Sequence, residues 1–199
     1  QNSKHIHLTY IQPMKEKMLL SGELEKTNEA YSIAKIAGLK LCENYRKQYN
    51  RNFIALMPTN LFGPNDNYHP ENSHVIPALI RRAHEAKISG AKSLTVWGSG
   101  TPMREFLYVD DLAEACYFVM NKNYVGDFLN VGTGKDISIK ETVEEIVQVV
   151  GFTGEIKFDT SKPDGMKKKV MDSTKINNIG WKPKISFQEG LKRSYQDFL

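Results

Sequence analysis

Tyr31 and Lys35 stand four residues apart in Tyr-Ser-Ile-Ala-Lys, inside the stretch TNEAYSIAKIAGLKLCENY. On a helix that spacing puts the phenol and the ammonium on one face, one turn apart. A nearby ammonium stabilises phenolate, lowers the tyrosine pKa and makes the phenol a better proton donor near neutrality. A lysine head can also hydrogen-bond a ribose. Reduction of a carbonyl by a nicotinamide needs both. The same pair arises by chance on many solvated helices, so the rest of the chain has to carry the reading.

Other side chains are candidates by type. His74 falls in the first turn of a helical pattern and is poised to exchange protons near neutrality, although a loop or capping histidine would look the same. Thr59 and Asn60 follow an apolar run, where loops of open α/β sheets carry ligands; a bounded turn at Pro58–Pro64 is the alternative. Trp97 can stack a base and Arg104 can clamp a phosphate, or they are a core tryptophan and a surface arginine. The triplet Gly132-Thr133-Gly134 is no dinucleotide fingerprint, because the third glycine is missing, and it reads as a turn that ends a strand.

The elements that would position these groups alternate between helix and strand. The spacing predicts a helix over 29–48, capped by Thr27 or Asn28, with Gly38 packed closely against a partner. Asn52–Met57 reads as a buried parallel strand. A helix follows from His74 to Lys87, capped by Asn72 or Ser73. Strands are expected at 94–97 and 104–109, then a helix from Asp111 to Asn121 capped by Asp110. Phe128–Val131 reads as another buried strand. Ser138 and Glu141 form a capping box for a helix ending at Gly151. A strand at 155–159, an extended stretch at 168–172, a short helix opened by Ser173 and a last helix opened by Ser186 complete the chain. Helix and buried strand in alternation predict an α/β fold.

Composition narrows the function classes. The 199 residues are 40% hydrophobic and 25% charged, with a net charge of +4, as in ordinary globular proteins. Basic residues are spread out except for Lys167–Lys169, so neither a nucleic-acid arm nor a polybasic membrane anchor is expected. No apolar run is long enough to span a membrane. The two cysteines, Cys42 and Cys116, lie far apart in apolar helical patterns and point to a reducing, cytoplasmic compartment, and Cys42 reads as a core residue. No metal-ligand spacing and no Ser-His-Asp arrangement can be picked out.

Taken in order, YSIAK, MPTNLFGP, NSHVIPALIRR, VWGSGTPMREFLYVDDLA, FLNVGTG and SKPDG resemble the extended short-chain dehydrogenase/reductases. Within them the chain is similar to the NADP-dependent epimerase-reductases of GDP-4-keto-6-deoxy-mannose. The likeness runs from about residue 18 to the C-terminus. It implies the C-terminal part of a Rossmann-like, doubly wound parallel sheet plus a smaller α/β domain that binds the GDP-sugar. Residues 1–63, with a strand from 121–135, would belong to the NADP-binding part, and 64–120 with 136–199 to the substrate part. Tyr31 would protonate the sugar's C4 oxygen, and Lys35 would hold the nicotinamide ribose. Pro58, Thr59, Asn60 and Leu61 would line the cofactor together with Tyr31, Lys35 and His74. His74 would also protonate carbon in the C3 and C5 epimerisations. Arg82, Trp97, Arg104 and Asp164 would hold the GDP-sugar. A homodimer is implied by the same likeness.

Three features depart from it. The family's glycine-rich phosphate loop and its catalytic serine and cysteine have no counterpart in these 199 residues. Cys42 cannot stand in, because eleven residues along one helix place it about 16 Å from Tyr31. His5, His7 and Tyr10 read as an insertion or altered loop. These residues alone are therefore expected not to turn over substrate. Another nucleotide-sugar enzyme of the same family, such as a UDP-sugar 4-epimerase, and a non-catalytic nucleotide-sugar binder stay open as alternatives.

Overall fold

The structure is a computed structural model and describes residues 12–126 and 128–199. His5, His7 and Tyr10 lie outside the described residues.

Helix α1 runs over Glu29–Tyr49 and closes on Asn50 in the left-handed conformation. Its start differs from expectation: Asn28 is the N-cap residue but makes no side-chain cap bond, and its amide instead donates to Glu25 at 2.7 Å. Gly38 has no packing partner within 4 Å of where a Cβ would sit. Strand β1, Leu56–Pro58, is shorter and later than the predicted run. The expected turn after it is a strand, β2, Asn60–Phe62. Its signals, Pro58 and Pro64, flank the strand instead of interrupting it. Helix α2 spans Val75–Ile88 with His74 at its N-cap, and β3 spans Ser93–Trp97.

The single strand expected at 104–109 is two: β4, Met103–Arg104, and β5, Phe106–Tyr108, separated by Glu105. Helix α3 begins earlier than predicted and covers Val109–Asn121, with Tyr108 and not Asp110 at the N-cap. The remaining elements are β6 at Leu129–Val131, β7 at Ile137–Ser138 and α4 at Ile139–Val150. They continue with β8 at Glu155–Asp159, β9 at Lys168–Lys169, α5 at Thr174–Asn178 and α6 at Phe187–Phe198. Both side chains of the Ser138–Glu141 capping box bond as the sequence predicts, and Ser186 accepts from the Glu189 amide to start α6.

Pairing is mostly parallel, as an α/β fold requires. Strand β1 pairs with β6, β2 with β5 and β3 with β8, all parallel. The small sheet β7-β4-β9 is mixed: β4 runs antiparallel to β7 and parallel to β9. Two cores result. One gathers Leu107, Leu129, Val131, Ile176 and Trp181. The other gathers α2, α4 and α6 around Leu94 and Val96 of β3. Strand β5 joins them by its period of two: Leu107 faces the first core, Phe106 and Tyr108 the second. Fully burying a residue such as Leu129 contributes about 2 kcal/mol, so β5 and β6 are firm supports for the loops beyond their ends.

The cysteines are not core. Cys42 is half-buried and Cys116 is exposed on α3. No helix of the described residues is long and apolar enough to cross a membrane.

Candidate active site

Between α2, the end of β3, the small sheet and the turn at 163–165 lies an open cavity of about 760 Å³. That is a normal size for a small-molecule site. Its wall includes Arg82, Trp97, Arg104 and Asp164, four residues spread over 83 positions of sequence. Each is set by its own element.

Arg82 sits near the middle of α2, and its guanidinium donates to the Thr95 carbonyl on β3. Arg104 is on β4 and donates to the carbonyls of Met103 and Met166, at 2.8 and 2.6 Å. Burial pushes its pKa down. A guanidinium stays charged regardless, so the shift signals a cation short of hydration, which an anion would relieve. Trp97 ends β3 and is 67% exposed, a poor place for a tryptophan without a ligand. Lys162 lies over its ring, 5.7 Å from the centroid. The expectation of a core tryptophan is thus overturned: the buried one is Trp181.

Asp164 is tied to the opposite rim. It accepts from the Ser99 hydroxyl at 2.6 Å and from the Ser99 amide at 2.8 Å. Gly98 makes room: its φ is +86°, and a Cβ there would come within 2.5 Å of the Asp164 carboxylate. The Ser99 hydroxyl and amide hold Asp164 below the usual aspartate range. A carboxylate with a depressed folded-state pKa contributes its tie above the unfolded pKa and loses it as pH falls through the folded one. Titration followed by the Ser99 amide NMR signal is expected to show a midpoint below the ordinary aspartate value of 3.8. A midpoint at or above that value would contradict the geometry.

A lysine stands next to Arg104 in the small sheet, exposed and outside the cavity lining. Lys169 is the register partner of Arg104 in the β4–β9 ladder. Its pKa is lowered by desolvation and by Arg104, with Glu25 acting the other way. Like charges placed side by side on a sheet repel each other. In the sequence Lys169 was visible only as the end of a three-lysine run.

Tyr31, Lys35, His74 and Pro58–Leu61 do not line this cavity. Tyr31 is 66% exposed on α1. Lys35 lies over its ring, 5.4 Å from the centroid, so the two share a face as the spacing predicts. His74 is exposed at the start of α2, between Ser73 and Val75, which do reach the cavity. Pro58 ends β1 opposite Val131, and Leu61 lies opposite Leu107. The Thr59 hydroxyl and the Asn60 amide both donate to the Glu105 carbonyl, at 3.1 and 2.7 Å, so these two side chains act within the protein.

A basic, aromatic-rimmed cavity suits a phosphorylated ligand, and the exposed Tyr–Lys pair on α1 suits reduction of a carbonyl. GDP-L-fucose synthase 1 of Arabidopsis thaliana is 52% identical over 188 residues, covering 94% of this chain and 58% of that protein. GDP-L-fucose synthase of Escherichia coli K12 is 53% identical over 197 residues, covering 94% and 61%. A crystal structure of a GDP-L-fucose synthetase from Naegleria fowleri bound to NADP superposes with a TM-score of 0.85 at 31% identity, over 94% of this chain and 61% of that one. The chain therefore spans about three fifths of the length of these relatives. The fold is Rossmann-like α/β, and a profile of one family matches residues 7–132. By that match and by these relatives, the chain belongs to the NAD dependent epimerase/dehydratase family.

Proposed function

We propose that this chain forms the sugar-nucleotide site and supplies the proton donors of an NADP-dependent epimerase-reductase that converts GDP-4-keto-6-deoxy-D-mannose to GDP-L-fucose. The observation that carries the proposal is the convergence of Arg82, Trp97, Arg104 and Asp164 on one cavity. Relatives above 50% identity that are named GDP-L-fucose synthase support the choice of sugar nucleotide.

The residues present fit the nicotinamide end of an NADP: Tyr31 and Lys35 share an exposed face, and Pro58 ends a strand at the edge where α/β sheets take cofactors. Bound NADPH supplies hydride to C4 of the sugar. Tyr31 gives its phenolic proton to the C4 oxygen, which stays on the sugar as the C4 hydroxyl. Lys35 holds the ribose and favours the phenolate that remains. Protons at C3 and C5 are acidic because both carbons flank the C4 ketone; the family's cysteine, which has no counterpart in these residues, would be the base that takes them, and His74, at the cavity's edge, returns a proton to carbon from the other side of the exchange. Arg82 and Arg104 hold the diphosphate, Trp97 packs against the nucleotide or sugar, and Asp164 accepts from hydroxyls. Thr59 and Asn60 shape the cofactor side through their backbone.

Residues 1–63 with 121–135 form the cofactor side in this reading, and 64–120 with 136–199 the GDP-sugar side; the pairing of β1 with β6 supports the first grouping, while the pairing of β2 with β5 and the packing of Leu107 on Leu129 and Val131 tie 106–108 to the cofactor side as well. Ile33, Leu41, Tyr45 and Tyr49 are exposed on α1 and support a homodimer. Two free thiols fit a cytoplasmic setting.

Calorimetry with GDP and UDP tests the substrate class on this chain. GDP is expected to bind, with UDP at least about tenfold weaker. Tighter binding of UDP would replace the proposal with a UDP-sugar enzyme, and binding of neither would refute a nucleotide-sugar site.

A further inference from the structure

Glu105 is a carboxylic acid with no exposed surface, and it takes no part in the chemistry above. Buried acids are rare unless their oxygens are fully bonded. Here they are. Oε1 accepts from the Gly134 amide at 2.7 Å and from the Thr133 hydroxyl at 3.3 Å. Oε2 accepts from the Met171 amide at 2.7 Å. The backbone carbonyl of the same residue takes the Thr59 and Asn60 side chains.

The location of these partners is informative. Arg104 lies on β4, which has only two residues. Its neighbours β7 and β9 also have two each. Such short strands hold one another weakly through their own ladder. Thr133 and Gly134 lie just before β7, and Met171 lies just after β9. One carboxylate thus ties both flanking strands to the residue that follows Arg104. Gly132 fits the same picture: a Cβ there would run into Glu105 Oε1.

We infer that Glu105 is a positioning residue for the anion site, pinning β7 and β9 on either side of β4 so that the Arg104 guanidinium is held in the cavity wall. The carbonyl bonds to Thr59 and Asn60 connect the same point to the cofactor side. The inference rests on the GDP-sugar reading only for the identity of the anion.

Glu105→Gln tests it. An amide keeps the shape, but its NH2 meets the Met171 or Gly134 N–H donor instead of accepting from it. Two readouts are needed. The first is the Arg104 Nε–Hε NMR signal without ligand, expected to be single and sharp in the parent and broadened or shifted in the variant. The second is GDP affinity by calorimetry below the melting range, expected to fall about tenfold. Asp111→Asn is the matched control: this buried carboxylate accepts from the Lys184 and Ile185 amides at 3.0 and 3.1 Å and does not line the cavity. It is expected to lower the melting temperature and leave both readouts unchanged. Gly132→Ala displaces the Glu105 carboxylate without removing it and carries the test if Glu105→Gln does not fold. An unchanged Arg104 signal, or equal effects from Asp111→Asn, would overturn the inference. Absence of GDP binding by the parent would refute the functional reading, while the Arg104 signal would still decide the role of Glu105.

Discussion

Replacing Arg104 with methionine is expected to weaken GDP binding by about a hundredfold, the largest effect of any single change in the cavity wall. Methionine keeps the length and removes the charge. The Arg104 guanidinium is already stripped of part of its water and oriented by two carbonyls. It has therefore met much of the desolvation and ordering cost before an anion arrives. Losing one partner of such a charge pair typically costs about 3 kcal/mol, and 1.4 kcal/mol is about tenfold. Arg81→Met is the comparison. Arg81 is one residue before Arg82 on α2, but it pairs with Glu85 at 2.6 Å and donates to the Tyr68 carbonyl. It is expected to leave GDP affinity unchanged in the same titration. A loss of less than about threefold for Arg104→Met would mean that the diphosphate is held elsewhere.

Tyr31→Phe is expected to behave in the opposite way. GDP affinity should be unchanged, because Tyr31 does not line the cavity. Reduction by the native polypeptide should fall about a thousandfold, within the range for a lost general acid. The change deletes one oxygen on an exposed ring, so stability should move by no more than about 0.5 kcal/mol. Single-turnover measurement of NADPH oxidation, paired with a GDP titration, separates the two effects. A variant that loses binding and turnover together would place Tyr31 in substrate binding and not in proton transfer. Read together, the two variants divide the molecule into an anion-holding wall and a proton-donating helix face.

Much of this division could be read from local sequence patterns. The Tyr31–Lys35 spacing, the Ser138–Glu141 capping box and the start of α6 at Ser186 depend on residues within a turn or so of each other, so they can be read before folding. Strand β2 could not. Prolines and a glycine around it suggested a turn, but its pairing with β5 depends on residues some 46 positions away. Trp97 carried the same difficulty: whether a tryptophan is core or cavity wall is settled by the other side of the cavity, Lys162 to Asp164. Cys116 sits in an apolar helical pattern, yet its face of α3 is exposed. Glu105 was the least legible. In Arg-Glu-Phe it looked like one more position in a strand, and only the convergence of the 133–134 turn and Met171 reveals it as an anchor.

The cavity wall was legible in a different way. Arg82 and Asp164 have no pattern of their own; they entered through resemblance to a family, and the structure then brought them to one cavity with Trp97 and Arg104. The register that sets Lys169 next to Arg104 is invisible in a run of lysines.

The reaction itself is the most direct test of the proposed activity. The native polypeptide is incubated with GDP-4-keto-6-deoxy-D-mannose and NADPH, and the product's hexose configuration is read by NMR. One NADPH oxidised per sugar and GDP-L-fucose as product, inverted at C3 and C5 and reduced at C4, are expected. A product reduced at C4 without inversion, or no NADPH oxidation while a UDP-hexose is epimerised at C4, would contradict the proposed activity.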